Sequence, residues 1–279
     1  MPLVEALYAP NAPNLIAPEV FGGVGARTVR DLRGLDLGRR VQPDVVLVAS
    51  PHWVSENRFL VQQSDRPPQV YDFSGLPTEL EQVTYSPPGD PPLAARIVAR
   101  GIERGVSVAG TSQWGLDHGA WAPLMHLLPE ARVPIVPLSI RPGSPRDHLA
   151  WGEAIGSVLA ELDQRVALLA TGSITHSFTR MRTAPTAPWP EAERVEREIL
   201  DLIVQRRYEE VANFDPRKWA MIEPEGGLGP FFILAGAIGK SFQPRVVSSH
   251  PMWGAFSLTI LEFTPGGGRQ PNLSSTSDD

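Results

Sequence analysis

The sequence contains no cysteine and only six histidines among its 279 residues. Without cysteine the chain can form no disulfide, no thiolate site for zinc or an iron–sulfur cluster, and no cysteine nucleophile. A metal site would therefore have to be built from histidine, aspartate and glutamate side chains. Because histidine is scarce, the position of each one is informative.

Several other features are missing, and each absence excludes a class of function. The net charge is −6, from 25 basic and 31 acidic residues, so the chain lacks the basic surface that binds nucleic acid. No apolar run approaches the roughly 18 residues that a membrane helix needs. The N-terminus has neither the basic nor the apolar part of a signal peptide, so we expect a cytoplasmic protein. Nucleophile-elbow and phosphate-loop motifs are also absent, which argues against a hydrolase or a nucleotide-binding enzyme.

The hydropathy pattern alternates short apolar runs with longer amphipathic segments. The apolar runs are rich in aliphatic and β-branched residues and are bounded by turn residues, which is typical of buried strands. They lie at 3–8, 44–50, 108–112, 133–140, 166–171, 245–249 and 255–263, and the helical patterns lie at 26–40, 91–104, 146–163 and 191–213. This order predicts an α/β fold, a single three-layer domain with a central mixed, largely parallel sheet covered by helices on both faces.

The C-terminal residues differ in composition from the rest of the chain. Residues 265–279 are rich in glycine and serine and have little to bury. We therefore expect one domain over residues 1–264 and a disordered tail over residues 265–279.

Three of the six histidines follow predicted strands. His52 comes directly after the strand at 44–50, His176 after the strand at 166–171, and His118 after the strand at 108–112. Ligands of α/β sheets bind beyond the carboxyl ends of the strands. Any one of these histidines could equally be a loop residue held by a backbone hydrogen bond, but three such positions together favour a shared site.

The other three histidines carry weaker signals. His126 lies in an apolar helical stretch, which indicates a hydrogen-bonded core histidine. His148 is near the start of a predicted helix, and we expect it at the surface. His250 lies between the last two strands, where it either lines the site or has no part in it, and we favour the second alternative.

Six segments, taken in order, resemble the class III extradiol ring-cleavage dioxygenases. This superfamily includes the protocatechuate 4,5-dioxygenases, the 4,5-DOPA dioxygenases and the 2-aminophenol 1,6-dioxygenases. The segments lie at 50–53 (Ser-Pro-His-Trp), 71–77, 83–90, 115–121 (Gly-Leu-Asp-His-Gly-Ala-Trp), 133–140 and 172–176. The resemblance covers nearly the whole chain, from the first strand to Phe263, and rests on the number, order and spacing of the segments.

The resemblance implies the residues of an iron site. In this family two histidines and a glutamate hold Fe(II), which leaves positions open for a catechol-like or aminophenol-like ring and for O₂ as co-substrate. His52 matches one metal histidine, and Glu225 matches the glutamate, with Glu223 as a neighbouring alternative. His176 matches the acid/base histidine, and imidazole suits that task because it gains and loses a proton near neutral pH. His118 matches a pocket histidine that hydrogen-bonds substrate or oxygen.

The other metal histidine of the family is missing from this sequence. It belongs in the Pro-rich loop after the first strand, where this chain has Asn11, and no histidine precedes His52. An amide carbonyl is a poorer iron ligand than imidazole. Two functions therefore stay open: a ring-opening dioxygenase, and a catalytically degenerate, metal-free subunit that partners an active homologue. The resemblance also implies a small aromatic substrate and an oligomer, either of identical chains or with a homologous subunit.

Five further residues are candidates for contact with a substrate. Trp53 and Trp121 either pack on its ring or belong to the core. Tyr71, Arg180 and Arg182 could meet a hydroxyl or a carboxylate, but we expect the two arginines to be solvated loop charges.

Overall fold

A computed structural model describes residues 2–184 and 186–266 of the chain. Eight strands form one sheet in the order β4-β3-β5-β2-β6-β1-β8-β7. The strands are β1 (Leu3–Ala9), β2 (Val45–Val54), β3 (Phe59–Gln62), β4 (Val108–Thr111), β5 (Ile135–Ile140), β6 (Val166–Thr171), β7 (Phe242–Met252) and β8 (Phe256–Pro265). The four central strands β5, β2, β6 and β1 pair in parallel, and β3 and β4 form a further parallel pair that joins β5 in antiparallel orientation. At the opposite edge of the sheet from β4, β8 pairs with β1 in antiparallel orientation and β7 pairs with β8 in the same way. The predicted mixed, largely parallel sheet is confirmed.

Helices cover both faces of this sheet, as predicted. They are α1 (Ala26–Leu35), α2 (Leu37–Arg40), α3 (Pro91–Glu103), α4 (His118–Leu127), α5 (Pro145–Leu159), α6 (Phe178–Thr183), α7 (Pro190–Val204), α8 (Tyr208–Ala212), α9 (Pro216–Ile222) and α10 (Gly229–Ile238). Successive side chains of a strand point to opposite faces, so Val45 and Leu47 pack with α3, α5, α7 and α10, whereas Val46 and Val48 pack with α1 and α4. Within the described residues, no helix combines the length and hydrophobicity needed to cross a bilayer.

Helices α5 and α10 pack closely against each other, and their contact depends on glycine. A Cβ atom at Gly152 would lie 2.1 Å from the carbonyl oxygen of Ile233, and one at Gly236 would lie 2.1 Å from that of Leu149. The backbones of the two helices therefore approach each other so closely that any side chain at these two glycines would clash. The start of α5 is fixed by a capping box, in which Ser144 and Asp147 satisfy each other's backbone N–H groups.

Some predicted elements differ from the structure in their boundaries. The helix predicted at 26–40 breaks at Asp36, and the one predicted at 191–213 breaks at Arg206, where φ is +35° and +59°. Such left-handed residues end a helix. Strand β2 continues to Val54, so His52 lies in the last part of a strand and not beyond its end. The four-residue strand β3 was not predicted, because its apolar run is too short to stand out from a loop.

The structure places the three weaker histidines outside the shared site. His126 is buried, and its Nε2 lies 2.7 Å from the carbonyl oxygen of Leu15, as expected for a core histidine. The prediction that His148 is a surface group is wrong, because the residue is buried under the ring of Phe59 in β3. His250 in β7 lies 2.9 Å from the carboxylate of Asp31.

The predicted tail overlaps the described residues only at its beginning. Strand β8 extends to Pro265, one residue into the segment expected to be disordered. The rest of that prediction, over residues 267–279, lies outside the described residues.

Candidate active site

Asn11, His52 and His176 come from three neighbouring parallel strands. Asn11 follows β1, His52 lies near the end of β2, and His176 follows β6. Strand β6 lies between β2 and β1 in the sheet. Since the carboxyl ends of parallel strands meet at one edge, the three side chains come together there although long stretches of sequence separate them.

Glu225 reaches the same place from a turn between two helices. It begins a short 3-10 turn, Glu225–Leu228, between α9 and α10. The next residue, Gly226, has φ +54°, and a Cβ there would lie within 3 Å of Ile140 and Pro51. The turn therefore packs directly against the ends of β5 and β2, which aims Glu225 at His52. The alternative residue, Glu223, is exposed and does not line the cavity.

The buried carboxylate of Glu225 is the centre of the cluster. Its Oε1 lies 2.9 Å from Nε2 of His52 and 3.8 Å from Nε2 of His176, and it accepts a hydrogen bond of 3.1 Å from the amide of Asn11. Its Oε2 accepts a hydrogen bond of 3.0 Å from the backbone N–H of Ser173. Burial would raise the pKa of Glu225, but His52, His176 and Asn11 outweigh it and lower that pKa to about 2.

Asp72 connects two of the histidines and was not among the predicted site residues. Its Oδ2 lies 2.6 Å from Nδ1 of His52, and its Oδ1 lies 2.8 Å from Nδ1 of His118 and accepts the backbone N–H of His118. The available signal was the segment 71–77, one of the six on which the resemblance rests. Burial would raise the pKa of Asp72, but these hydrogen bonds lower it well below its usual range.

His52 is thus held between two carboxylates. Burial would lower the pKa of His52, but the hydrogen bonds to Asp72 and Glu225 raise it to about 10. His52 is therefore an imidazolium at neutral pH when it faces only these two groups. The ring of His118 packs edge-on against that of His52, with centroids 4.2 Å apart.

His52, Asp72 and His118 also form a group of possible metal ligands. Among the described residues, they are the one such group whose ligand atoms all lie within 4.8 Å of one another. The atoms involved already form the hydrogen bonds between Asp72 and the two imidazoles. This geometry is that of a carboxylate that orients histidines, an arrangement common behind metal-bound histidines.

A second buried carboxylate, Asp117, supports this arrangement from behind. It caps α4 by accepting the N–H of Ala120, and it accepts hydrogen bonds from the hydroxyl of Ser50 at 2.6 Å and the indole N–H of Trp114 at 3.1 Å. Burial raises the pKa of Asp117. These bonds join the start of α4, which carries His118, to the strand that carries His52.

The cluster lies at one side of a cavity of about 430 Å³. Asn11, His52, His118, His176 and Glu225 all line it, together with apolar side chains, among them Phe73, Phe178, Met181, Met252, Trp253 and Phe256. The volume is in the range of small-molecule sites. A second cavity of about 590 Å³ shares Trp253 and Phe256 with it, but none of the described residues in its wall is a histidine.

The remaining candidate residues make their contacts outside the cavity. Trp53 and Trp121 are buried in the core and do not line the cavity. The hydroxyl of Tyr71 donates to the carbonyl oxygen of Val83, and Arg180 donates to that of Pro188.

The sequence matches one family model over residues 35–257, described as the catalytic LigB subunit of aromatic ring-opening dioxygenase. It is 31% identical over 231 residues to the 4,5-DOPA dioxygenase extradiol of Mirabilis jalapa, a match that covers 80% of this chain and 84% of the relative. It is 32% identical over 232 residues to the protein of the same name from Beta vulgaris, with the same coverage. A 3,4-dihydroxyphenylacetate 2,3-dioxygenase of Escherichia coli is 23% identical over 224 residues, covering 77% of this chain and 81% of that protein.

The fold also matches a solved structure, that of an uncharacterized protein from Escherichia coli K12. The TM-score is 0.71 at 20% identity, and the match covers 93% of this chain and 99% of the other. This likeness shows that the two chains share a fold. The chain belongs to the LigB family of class III extradiol dioxygenases.

Proposed function

We propose that the chain is an extradiol dioxygenase that opens a catechol-like or aminophenol-like ring with O₂ at a non-haem Fe(II). The observation that carries the proposal is the convergence of His52, His176 and Asn11 on one carboxylate oxygen of Glu225, within an aromatic-lined cavity. Family membership supports the reaction class, and the cavity supports a small aromatic substrate.

The residues present fit a divalent metal, with one weak position. His52 has the arrangement of a metal-binding histidine, because Asp72 holds its Nδ1 while its Nε2 points at Glu225. Glu225 has a low pKa and supplies an ionised carboxylate. Asn11 is the weak position, since its amide can offer only a neutral carbonyl oxygen in place of an imidazole. His52, Glu225 and Asn11 would hold Fe(II), which when bound would bring O₂ and the ring oxygens together and supply electrons to O₂.

The protein's own groups would then move the proton and position the ring. His176 is held by a backbone hydrogen bond of 2.9 Å to Ile222 and by edge-on contacts with Phe178 and Phe256. From this position its imidazole would take the proton of a ring hydroxyl and later return one. His118, fixed through Asp72, would hydrogen-bond the substrate or oxygen. Both oxygen atoms of O₂ would end in the product as the ring bond beside the hydroxyl-bearing carbon breaks.

Anaerobic reconstitution with Fe(II) tests this proposal. We expect about one iron per chain by elemental analysis, and O₂ uptake that matches the loss of catechol. The variant His176→Ala should keep its iron and lose roughly 100-fold or more in kcat. A chain that binds no iron and consumes no O₂ with a panel of catechols and aminophenols contradicts the proposal.

The presence of Asn11 at the metal position favours a second candidate function, that of a metal-free subunit that partners an active homologue. On this alternative the fold and cavity are retained while iron is held by another chain. The expected results are no bound iron in the isolated chain, a stable complex with a homologue that has histidine at the matching position, and no effect of His176→Ala on that complex. Ring opening by the isolated, iron-loaded chain excludes this candidate.

A further inference from the structure

The wall of the cavity beyond His176 is apolar and largely aromatic. The rings of Phe178 and Phe256 pack edge-on against His176, with centroids 4.9 and 5.1 Å away, and Trp253 packs on Phe256 at 6.2 Å. Met181 lines the same cavity. A surface of this kind binds an apolar substituent by removing it from water and offers no polar partner to a charged one.

The charges in the cavity wall are unfavourable for an anion. The described side chains that line it include two carboxylates, Asp72 and Glu225, and neither lysine nor arginine. A carboxylate on the ring substituent would lose its hydration on entry and find no lysine or arginine among the described lining residues in exchange.

Helix α6 carries arginines close to this wall, but they are directed elsewhere. Arg180 lies on the same helix as Phe178 and Met181, yet it does not line the cavity. Its guanidinium donates to the carbonyl oxygen of Pro188 at 3.1 Å and lies 5.2 Å from the ring centroid of Trp189. Arg182, on the same helix, is exposed.

We propose that the cavity selects aromatic substrates whose ring substituent is uncharged and apolar, and discriminates against those that carry a carboxylate. The inference rests on the proposed ring-opening function of the same cavity and names the substrate class for it. The hydroxyls of the ring face the histidine cluster, and the substituent lies among Phe178, Met181, Trp253 and Phe256.

A matched pair of ligands tests the selection directly. 4-Propylcatechol and 3-(3,4-dihydroxyphenyl)propionate have side chains of equal length that end in a methyl group and a carboxylate. Calorimetric titration of the purified chain, without oxygen and both with and without added Fe(II), should give a Kd at least about tenfold lower for the propyl compound. Equal affinities, a preference for the propionate, or no binding of the propyl compound overturns the inference.

A variant of the wall tests whether charge is the cause. Met181→Arg supplies a cation at the apolar wall, and we expect it to lower the Kd of the propionate about tenfold while changing that of the propyl compound much less. Met181→Gln is the control, because it adds polarity without charge. An equal gain with Met181→Gln overturns the inference, since polarity alone would then set the preference.

Oxygen uptake separates this inference from the proposed function. If the propyl compound binds more tightly but neither compound drives O₂ uptake, the ring-opening function fails and the ligand selection stands. If both compounds are opened with similar kcat/KM and bind equally, the function stands and the ligand selection fails.

Discussion

At the scale of single residues, the amide of Asn11 separates the two functions proposed for this chain. Asn11 is buried beside Glu225 and donates to its Oε1 at 3.1 Å. A neutral amide neither carries the lone pair of an imidazole nor balances the charge of the carboxylate. On the proposed function, the side chain at this position would therefore decide how strongly the site holds a metal.

Asn11→His should raise the Fe(II) affinity by roughly tenfold or more, because it supplies a nitrogen ligand beside His52 and Glu225. The measurement is a competition titration with a chelator under anaerobic conditions. Asn11→Ala is the control, and we expect it to bind iron no more tightly than the natural chain. An unchanged affinity in Asn11→His contradicts the assignment of this position to the metal site.

Asp72 is a positioning residue, since it acts through the imidazoles of His52 and His118. Asp72→Asn keeps the shape but weakens both hydrogen bonds, and we expect metal affinity to fall by about 10- to 100-fold. The His52 and His118 ring signals in an NMR spectrum should shift as well. The exposed Asp65→Asn serves as the control and should change neither quantity. A loss of thermal stability with unchanged metal affinity would indicate a purely structural role.

At the scale of secondary-structure elements, the packing of α5 on α10 determines where the Glu225 turn lies. The turn Glu225–Leu228 leads directly into α10, and α10 is pressed onto α5 at Gly152 and Gly236. The glycines were visible in the sequence, but their partners lie about eighty residues away. Only the assembled layers show that these glycines mark a helix contact.

Gly152→Ala should lower the free energy of unfolding by about 1–3 kcal/mol, because the new methyl group meets the backbone of Ile233 at 2.1 Å. Gly34→Ala in α1 is a matched control. Apart from its chain neighbours and the backbone of its own helix, no described atom lies within 4 Å of a Cβ at that position, and alanine favours helix by up to about 1 kcal/mol. Urea denaturation measures both variants, and equal effects would contradict the steric explanation.

At the scale of the whole molecule, a buried ionic cluster joins the first and last strands. Glu5 in β1 and Glu262 in β8 are both buried, and Nη2 of Arg40 lies 2.8 Å from Glu5 and 2.7 Å from Glu262. Burial, followed by the hydrogen bond with Glu262, raises the pKa of Glu5 to about 8, against the opposing effect of Arg40. Folding therefore favours the protonated form of Glu5.

The raised pKa of Glu5 predicts that the folded chain loses stability as the pH rises. The pKa of Glu5 is higher in the folded chain than the 4.5 of a free glutamate. The contribution of Glu5 to the free energy of unfolding is therefore complete below pH 4.5 and is lost as the pH rises through about 8. Glu5→Gln stays neutral and should remove that fall, which we expect to be about 1 kcal/mol or more between pH 5 and 8. Denaturation midpoints across this range provide the test, with the exposed Glu19→Gln as control. Parallel pH profiles for the natural chain and Glu5→Gln would be the contrary result.

The local pattern of the sequence predicted most of the fold. Buried strands and amphipathic helices have periodicities that a short window contains, so the strands at 3–8, 133–140 and 166–171 were predicted nearly at their observed bounds. The predictions failed where contacts between distant parts of the chain determine the structure. Strand β3 is too short to have a pattern of its own, and His148 is buried only because the ring of Phe59 in that strand covers it.

The α/β class and the restriction of a metal site to histidine and carboxylate could be read from the sequence, and the resemblance to the family implied that Asn11 stands where an early histidine is expected. These are properties of composition, order and local periodicity. The folded structure was needed to show that Glu225 rather than Glu223 faces His52, and that Asp72 bridges His52 and His118. His52 and Glu225 are separated by 173 positions along the chain, and they come within hydrogen-bond reach because the turn Glu225–Leu228 packs against the ends of β2 and β5.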